Sequence, residues 1–155
     1  MIRLRDIMKE RVESISPSES AESARSRMRL NRIRHLVVMD RGSVVGVVSD
    51  RDLKGSPELR GFERVGDVMT ARVVSASPEM TLRQAANRLR GRSIGCLPVM
   101  DEERLVGIVT TTDLLELLGR GVAPPAVHRR RPTLARREPR RRLYSAPRLP
   151  VESRR

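Results

Sequence analysis

Two stretches of the chain place a hydroxyl and a carboxylate three residues apart, behind a glycine-containing apolar run. The pattern is Gly-x-x-Ser/Thr-x-x-Asp, and its polar members are Ser49 with Asp52 and Thr110 with Asp113. We expect an apolar strand running into a helix start, where free backbone N–H groups suit a phosphate. The hydroxyl can bond a phosphate or ribose oxygen, and the carboxylate can accept from two ribose hydroxyls. The pattern therefore indicates a ribose-phosphate site.

The same spacing is also a helix-capping pattern that needs no ligand, and for a single copy capping is the better interpretation. The chain, however, carries the pattern inside a longer internal repeat. Residues 3–53 (repeat one) lie over residues 64–114 (repeat two) at a fixed offset of 61, with no insertion. Two copies at equivalent places favour binding, with the site between the copies.

The repeat predicts the order β-α-β-β-α twice, in an α/β fold. Ser20 takes the cap position of the first helix, and Thr81 with Gln84 has capping-box spacing. A β-hairpin and a final helix follow, the latter beginning near Asp50 or Thr111. The first strands are predicted over 12–15 and 73–76, and the hairpin arms over 35–39, 44–49, 96–100 and 105–110. One such unit buries little surface alone, so we expect two units packed sheet to sheet around a pseudo-two-fold axis, with two equivalent clefts.

Charge separates this repeated region from a basic tail. The predicted division is repeat unit one over 1–54, a linker over 55–63, repeat unit two over 64–118 and a disordered tail over 119–155. The net charge is +13, yet residues 1–118 hold 20 basic and 17 acidic side chains, whereas the tail holds 12 and 2. The tail is dense in Arg and Pro, which argues against a packed fold there.

Several function classes find no support in the sequence. One cysteine, Cys96, excludes an internal disulfide and fits a reducing compartment. No apolar run reaches the ~20 residues of a membrane span, so we expect a cytoplasmic protein without membrane contact. The two histidines, His35 and His128, are too few for a metal site. No catalytic triad or carboxylate pair is evident, so we expect no enzyme activity.

Taken together, these motifs resemble a tandem pair of CBS domains (cystathionine-β-synthase domains), the Bateman module. The resemblance covers residues 3–118. It is carried by Asp-Ile/Val-Met at 6–8 and 67–69, Ser-Pro at 16–17 and 77–78, Leu-Val/Pro-Val-Met-Asp at 36–40 and 97–101, and the Gly-x-x-Ser/Thr-x-x-Asp turns. It implies a flat disc of two CBS repeats whose clefts take AMP, ADP, ATP, S-adenosylmethionine or a dinucleotide, often within a homodimer.

The resemblance also implies roles for individual residues. Asp52 and Asp113 would hold ribose hydroxyls, while Ser49 and Thr110 would contact ribose or the first phosphate. The aliphatic candidates for contact with adenine are Val12, Val73, Ile33 and Ile94.

Basic residues distinguish the two copies. The candidates for phosphate are Arg34, His35 and Arg51. The counterparts of the first two are the neutral Gly95 and Cys96, which predicts that the two clefts bind unequally. The alternative is that these arginines are ordinary solvated side chains. The resemblance implies a proline at the second position of the Leu-x-Val-Met-Asp strand. Repeat two has this residue as Pro98, whereas repeat one has Val37 at the equivalent position.

Three functions follow from this reading. The first is a regulatory, energy-sensing module that changes its dimer geometry or its contact with a regulated protein when a nucleotide binds. Its dimer surface would use Leu114, Leu115, Leu117 and Leu118. The second is contact with nucleic acid or an acidic partner through the basic tail. The third is a dimer scaffold that binds no ligand.

Overall fold

The computed structural model describes residues 1–54 and 63–121. The predicted linker over 55–63 lies almost wholly outside these residues. The same holds for the tail predicted over 119–155, and with it for the predicted tail contact with nucleic acid.

The described elements follow the predicted α/β order. The helices are a 3-10 turn at Leu4–Asp6, α1 (Ala21–Asn31), α2 (Asp50–Lys54), α3 (Val65–Val68), α4 (Leu82–Arg92) and α5 (Thr111–Gly119). The strands are β1 (Ser14–Ile15), β2 (His35–Asp40), β3 (Ser43–Ser49), β4 (Cys96–Asp101) and β5 (Arg104–Thr110). Both hairpins are antiparallel and extend closer to their turns than predicted.

The first strand of each repeat is shorter than predicted. In repeat one, β1 covers two residues and pairs in parallel with β2. In repeat two the strand predicted over 73–76 is absent from the described structure, where Ala76 alone pairs with Val99. The reason is chemical: the Val37 N–H donates to the carbonyl of Glu13 at 3.2 Å, whereas its counterpart Pro98 has no N–H to donate.

The predicted helix starts are confirmed. The Ser20 hydroxyl accepts from the Ser23 N–H at 3.1 Å, and Thr81 and Gln84 form a reciprocal capping box. The apolar face of each capped helix is buried: Ala24 in α1 and Ala85 in α4 are both fully inaccessible to solvent. Capping and the apolar period of about 3.6 residues therefore explain these two helices.

The opening segments of the two repeats are exchanged. Leu4 is fully buried in the core of repeat two, whereas Val65 is fully buried in the core of repeat one. Equivalent backbone hydrogen bonds hold both segments. The Leu4 N–H donates to the Met80 carbonyl oxygen at 2.9 Å, and the Val65 N–H donates to the Glu19 carbonyl oxygen at 2.8 Å. Each repeat thus completes the core of the other.

A methionine of each exchanged segment sits on the glycine of the opposite strand. A Cβ on Gly46 would lie 2.5 Å from the Met69 sulfur, and one on Gly107 would lie 2.6 Å from the Met8 sulfur. Real Cβ atoms essentially never approach so closely. The glycine of the Gly-x-x-Ser/Thr-x-x-Asp pattern is therefore explained by this packing.

A third apolar cluster forms the seam between the repeats. It joins Val37 of repeat one to Cys96 and Ile108 of repeat two, and all three side chains are buried. Together with the exchanged segments, this seam gives the pseudo-two-fold packing that the sequence predicts.

The predicted dimer surface on α5 needs correction. Leu114 is 9% exposed and belongs to the core of repeat two, and Leu117 packs against that core. Leu115 and Leu118 are 62% and 50% exposed. They stand three residues apart, so they share one face of the helix.

The contact between methionine and glycine should be measurable as a stability cost. Gly46→Ala should lower the free energy of unfolding by about 1–3 kcal/mol, the usual effect of overpacking. Gly91→Ala is the matched control, because a Cβ at that α4 position would meet no described atom within 4 Å. It should stabilise the helix by up to about 1 kcal/mol. Urea denaturation measures both, and equal stability of the two variants would refute the contact.

Candidate functional site

Each Gly-x-x-Ser/Thr-x-x-Asp motif closes a capping box at the start of its helix. The Ser49 N–H and hydroxyl both donate to Asp52 Oδ2 at 2.8 Å, and the Asp52 N–H donates back to the Ser49 hydroxyl at 3.2 Å. Thr110 and Asp113 repeat this arrangement, with distances of 2.7, 2.7 and 3.3 Å. The capping interpretation is thus correct for one oxygen of each carboxylate.

The second oxygen of each carboxylate distinguishes the copies. Asp52 Oδ1 has no hydrogen-bond or ion-pair partner among the residues that the structure describes. Asp113 Oδ1 lies 2.8 Å from the Lys9 ammonium, and the Asp113 side chain is only 7% exposed. Asp52 therefore keeps one carboxylate oxygen without a partner among the described residues, whereas both oxygens of Asp113 are engaged.

A cavity of about 790 Å³ opens beside Asp52, and we call it the Asp52 cleft. Its size is typical of a small-molecule site. Seven of the residues predicted from the sequence line it: Arg34, His35, Ser49, Arg51, Asp52, Val73 and Ile94. Both repeats contribute to these walls, so a ligand there would touch both.

Four predicted residues lie elsewhere. Thr110 and Asp113 line neither this cavity nor a second groove of about 750 Å³, which contains Val12. Ile33 packs, partly buried, against the core of repeat one. Neither of these two cavities is therefore bordered by the second motif pair.

Cationic side chains dominate the charge of the Asp52 cleft. Its basic residues are Arg34, Arg51, Lys54 and Arg72, against the acidic Asp50 and Asp52. Lys54 is paired with Asp50 at 2.6 Å. The three arginines have no carboxylate within ion-pair distance among the described residues. An anionic ligand would relieve their mutual repulsion.

Sequence reasoning missed Arg72, and also Thr111 and Thr112, which line the same cleft. Arg72 belongs to the exchanged segment of repeat two, whose partner is invisible without the fold. Its repeat counterpart is Arg11. Aligning the two repeats could therefore have pointed to Arg72, because an arginine directly precedes the candidate residue in both: Arg11 before Val12 and Arg72 before Val73.

The thiol of Cys96 and the imidazole of His35 also line the cleft. Burial raises the pKa of the Cys96 thiol to about 12, and the charge of Asp52 acts in the same direction. Burial is also the main influence on His35 and lowers its pKa; the Asp52 charge raises it, and Arg34 lowers it. The imidazole lies directly over Gly95, where an added Cβ would be 2.6 Å from Nε2.

The part of the chain covered by the structure contains no group of three or more His, Cys, Asp or Glu side chains that could hold a metal ion. In the same residues, no helix is both long and apolar enough to cross a membrane.

Comparisons with known proteins agree with this architecture. A family model described as CBS domain matches residues 4–56 and 65–120. The CBS domain-containing protein YhcV of Bacillus subtilis is 31% identical over 117 residues, which cover 74% of this chain and 84% of that protein.

A solved structure gives the same result in three dimensions. The CBS domain pair of protein MJ0100, in complex with 5′-methylthioadenosine and S-adenosyl-L-methionine, matches with a TM-score of 0.71 and 25% identity. The match covers 76% of this chain and 100% of that one.

An enzyme also appears among the relatives. Homoserine O-acetyltransferase of Methanococcoides burtonii is 34% identical over 116 residues, covering 74% of this chain. The match includes 24% of that enzyme, so this chain spans about a quarter of its length.

The half-buried His35 predicts a loss of stability on mild acidification. The pKa of His35 in the folded chain lies below its ordinary value of about 6.5, so the unfolded chain takes up the proton first. The free energy of unfolding should therefore fall as the pH drops below about 6.5. His35→Gln should make urea denaturation less sensitive to pH between 7.5 and 5.5. Equal sensitivity in the variant and the wild type would contradict this assignment.

Proposed function

The chain belongs to the CBS domain family, and on that premise we propose that it is a regulatory module binding an anionic adenosine nucleotide in the Asp52 cleft. The observation that carries the proposal is the unpartnered Oδ1 of Asp52, which lies in the wall of a basic cavity built by both repeats. Asp52 would accept hydrogen bonds from the ribose hydroxyls. AMP, ADP and ATP are the ligands considered first.

The base and the phosphates would contact different walls of the cleft. Val73 and Ile94 offer the adenine an apolar surface, since no Phe, Tyr or Trp is among the described residues that line the cavity. Arg34, Arg51 and Arg72 offer the phosphates charge-assisted hydrogen bonds. The cleft hydroxyls of Thr111 and Thr112 are further donors. Thr110, Asp113, Val12 and Ile33, which lie outside the cleft, have no part in this proposal.

Charge favours a nucleotide over S-adenosylmethionine, although the latter is bound by the MJ0100 domain pair. The sulfonium of S-adenosylmethionine would add a positive charge to a cleft that already holds four basic residues against two acidic ones. Phosphates would neutralise the arginines instead. We therefore rank ATP and AMP above S-adenosylmethionine for this chain.

Regulation would follow from the position of the ligand between the repeats. A ligand that contacts Asp52 of repeat one and Arg72 of repeat two binds best when the repeats have one particular spacing. It therefore shifts the population toward that spacing. The protein would act by binding and not by catalysis, on a regulated protein in the cytoplasm, where its single thiol stays reduced.

Titration calorimetry with AMP, ADP, ATP and S-adenosylmethionine tests this function. Asp52→Asn keeps an oxygen for Ser49 but presents an amide donor to the ribose, so binding should weaken at least about tenfold. Asp40→Asn is the matched control, because Asp40 is exposed and lines neither cavity, and it should bind as tightly as wild type. Absence of binding by any of the four ligands, or equal binding by Asp52→Asn, would refute the proposal.

The exposed face of α5 supplies a second expectation, a homodimer. Two leucines on one helix face, Leu115 and Leu118, would each bury apolar area against a second copy. Leu115→Glu with Leu118→Glu should convert the dimer to a monomer in light scattering. Leu30→Glu on α1 is the control, because Leu30 is 81% exposed and outside this face. A wild-type monomer, or a dimer that persists in the double variant, would contradict the expectation.

A further inference from the structure

The carboxylate of the second motif already has an occupant. Asp113 Oδ2 accepts from Thr110, and Asp113 Oδ1 binds the Lys9 ammonium at 2.8 Å. In the Asp52 cleft, the corresponding oxygen is the one assigned to the ribose hydroxyls. Repeat symmetry implies a counterpart of the Asp52 cleft beside Asp113, which we call the Asp113 cleft, and the Lys9 ammonium occupies its ribose position.

The repeat supplies an internal control for this position. Lys9 pairs with Ile108 through two backbone hydrogen bonds of 3.0 Å each. Thr70, 61 residues later, pairs with Val47 in the same way, at 2.9 and 3.1 Å. The two backbones therefore occupy equivalent places, and the difference lies in the side chains. The threonine carries no charge to pair with Asp52, whereas the lysine reaches its carboxylate.

The ion pair persists at neutral pH. Burial acts to raise the pKa of Asp113, but hydrogen bonds from Lys9 and Thr110 outweigh it and hold the pKa below its usual value. The Asp113 side chain is shielded, with 7% exposed, while Lys9 is 58% exposed. A ribose would have to separate this ammonium from a carboxylate that has little access to water, which opposes binding.

We propose that Lys9 acts as a built-in occupant of the Asp113 cleft, so that one chain binds a single adenosine nucleotide, in the Asp52 cleft. This inference rests on the proposed function and adds the stoichiometry and the residue that sets it. It also adds a second reason for unequal clefts. The contrast between Arg34-His35 and Gly95-Cys96 concerns the phosphates, whereas Lys9 against Thr70 concerns the ribose.

Exchange of the two side chains tests the proposal. Calorimetry of the full chain with ATP or AMP, whichever binds wild type more tightly, should give one site per chain. Lys9→Thr should give a second, weaker site, because the repeat-two counterparts of Arg34 and Arg51 are the neutral Gly95 and Thr112. Thr70→Lys should lose binding, because the new ammonium would reach Asp52. The double exchange should restore one site, now sensitive to Asp113→Asn and insensitive to Asp52→Asn.

Folding of the variants is checked separately by circular dichroism and thermal unfolding. If Lys9→Thr does not fold, Lys9→Met keeps most of the aliphatic stem without the ammonium, and it should also give two sites. Two sites in wild type, or one site in a folded Lys9 variant, would overturn this inference and leave the Asp52 cleft intact. No binding by wild type would overturn the proposed function, and this inference with it.

Discussion

The contact of a methionine sulfur with a bare glycine backbone is the constraint on which the other features depend. Met8 lies on Gly107 and Met69 on Gly46, so each opening segment is held against a strand of the opposite repeat. The residue that follows each methionine is thereby paired with that strand. The same packing that joins the two repeats thus decides which side chain faces each motif carboxylate, and therefore which carboxylate remains available.

The exchange also explains why the cleft belongs to neither repeat alone. Ser49 and Asp52 come from the strand–helix junction of repeat one, while Val73 and Arg72 arrive on the segment that follows Met69. A ligand bridging these walls would be sensitive to any sliding of the seam formed by Val37, Cys96 and Ile108. Such sensitivity would allow the proposed binding module to transmit a signal.

Local features of the fold could be predicted from the sequence. The caps at Ser20 and Thr81 and both hairpins follow from spacing and residue type, because they depend on neighbours a few residues away. The prediction of a strand over 73–76 was wrong. Its pairing depends on Pro98, more than twenty residues later in the chain, which has no N–H to donate. The exchange of segments was missed because a repeat shows which residues are equivalent, but not which copy each one contacts. The alignment of the repeats shows that Lys9 and Thr70 are equivalent positions with different side chains. Only the fold shows that these positions lie near Asp113 and Asp52, so that the difference in charge affects the two carboxylates.

The central claim is that a nucleotide binds beside Asp52 and not beside Asp113. An ¹⁵N-labelled chain titrated with ATP or AMP, with amide shifts followed residue by residue, tests it most directly. The account predicts saturable shifts at Ser49 to Leu53, at Thr70 to Val74 and at Ile94 to Cys96, with Lys9 and Asp113 unchanged. Shifts centred on Lys9, Thr110 and Asp113, or no saturable shifts at all, would contradict it.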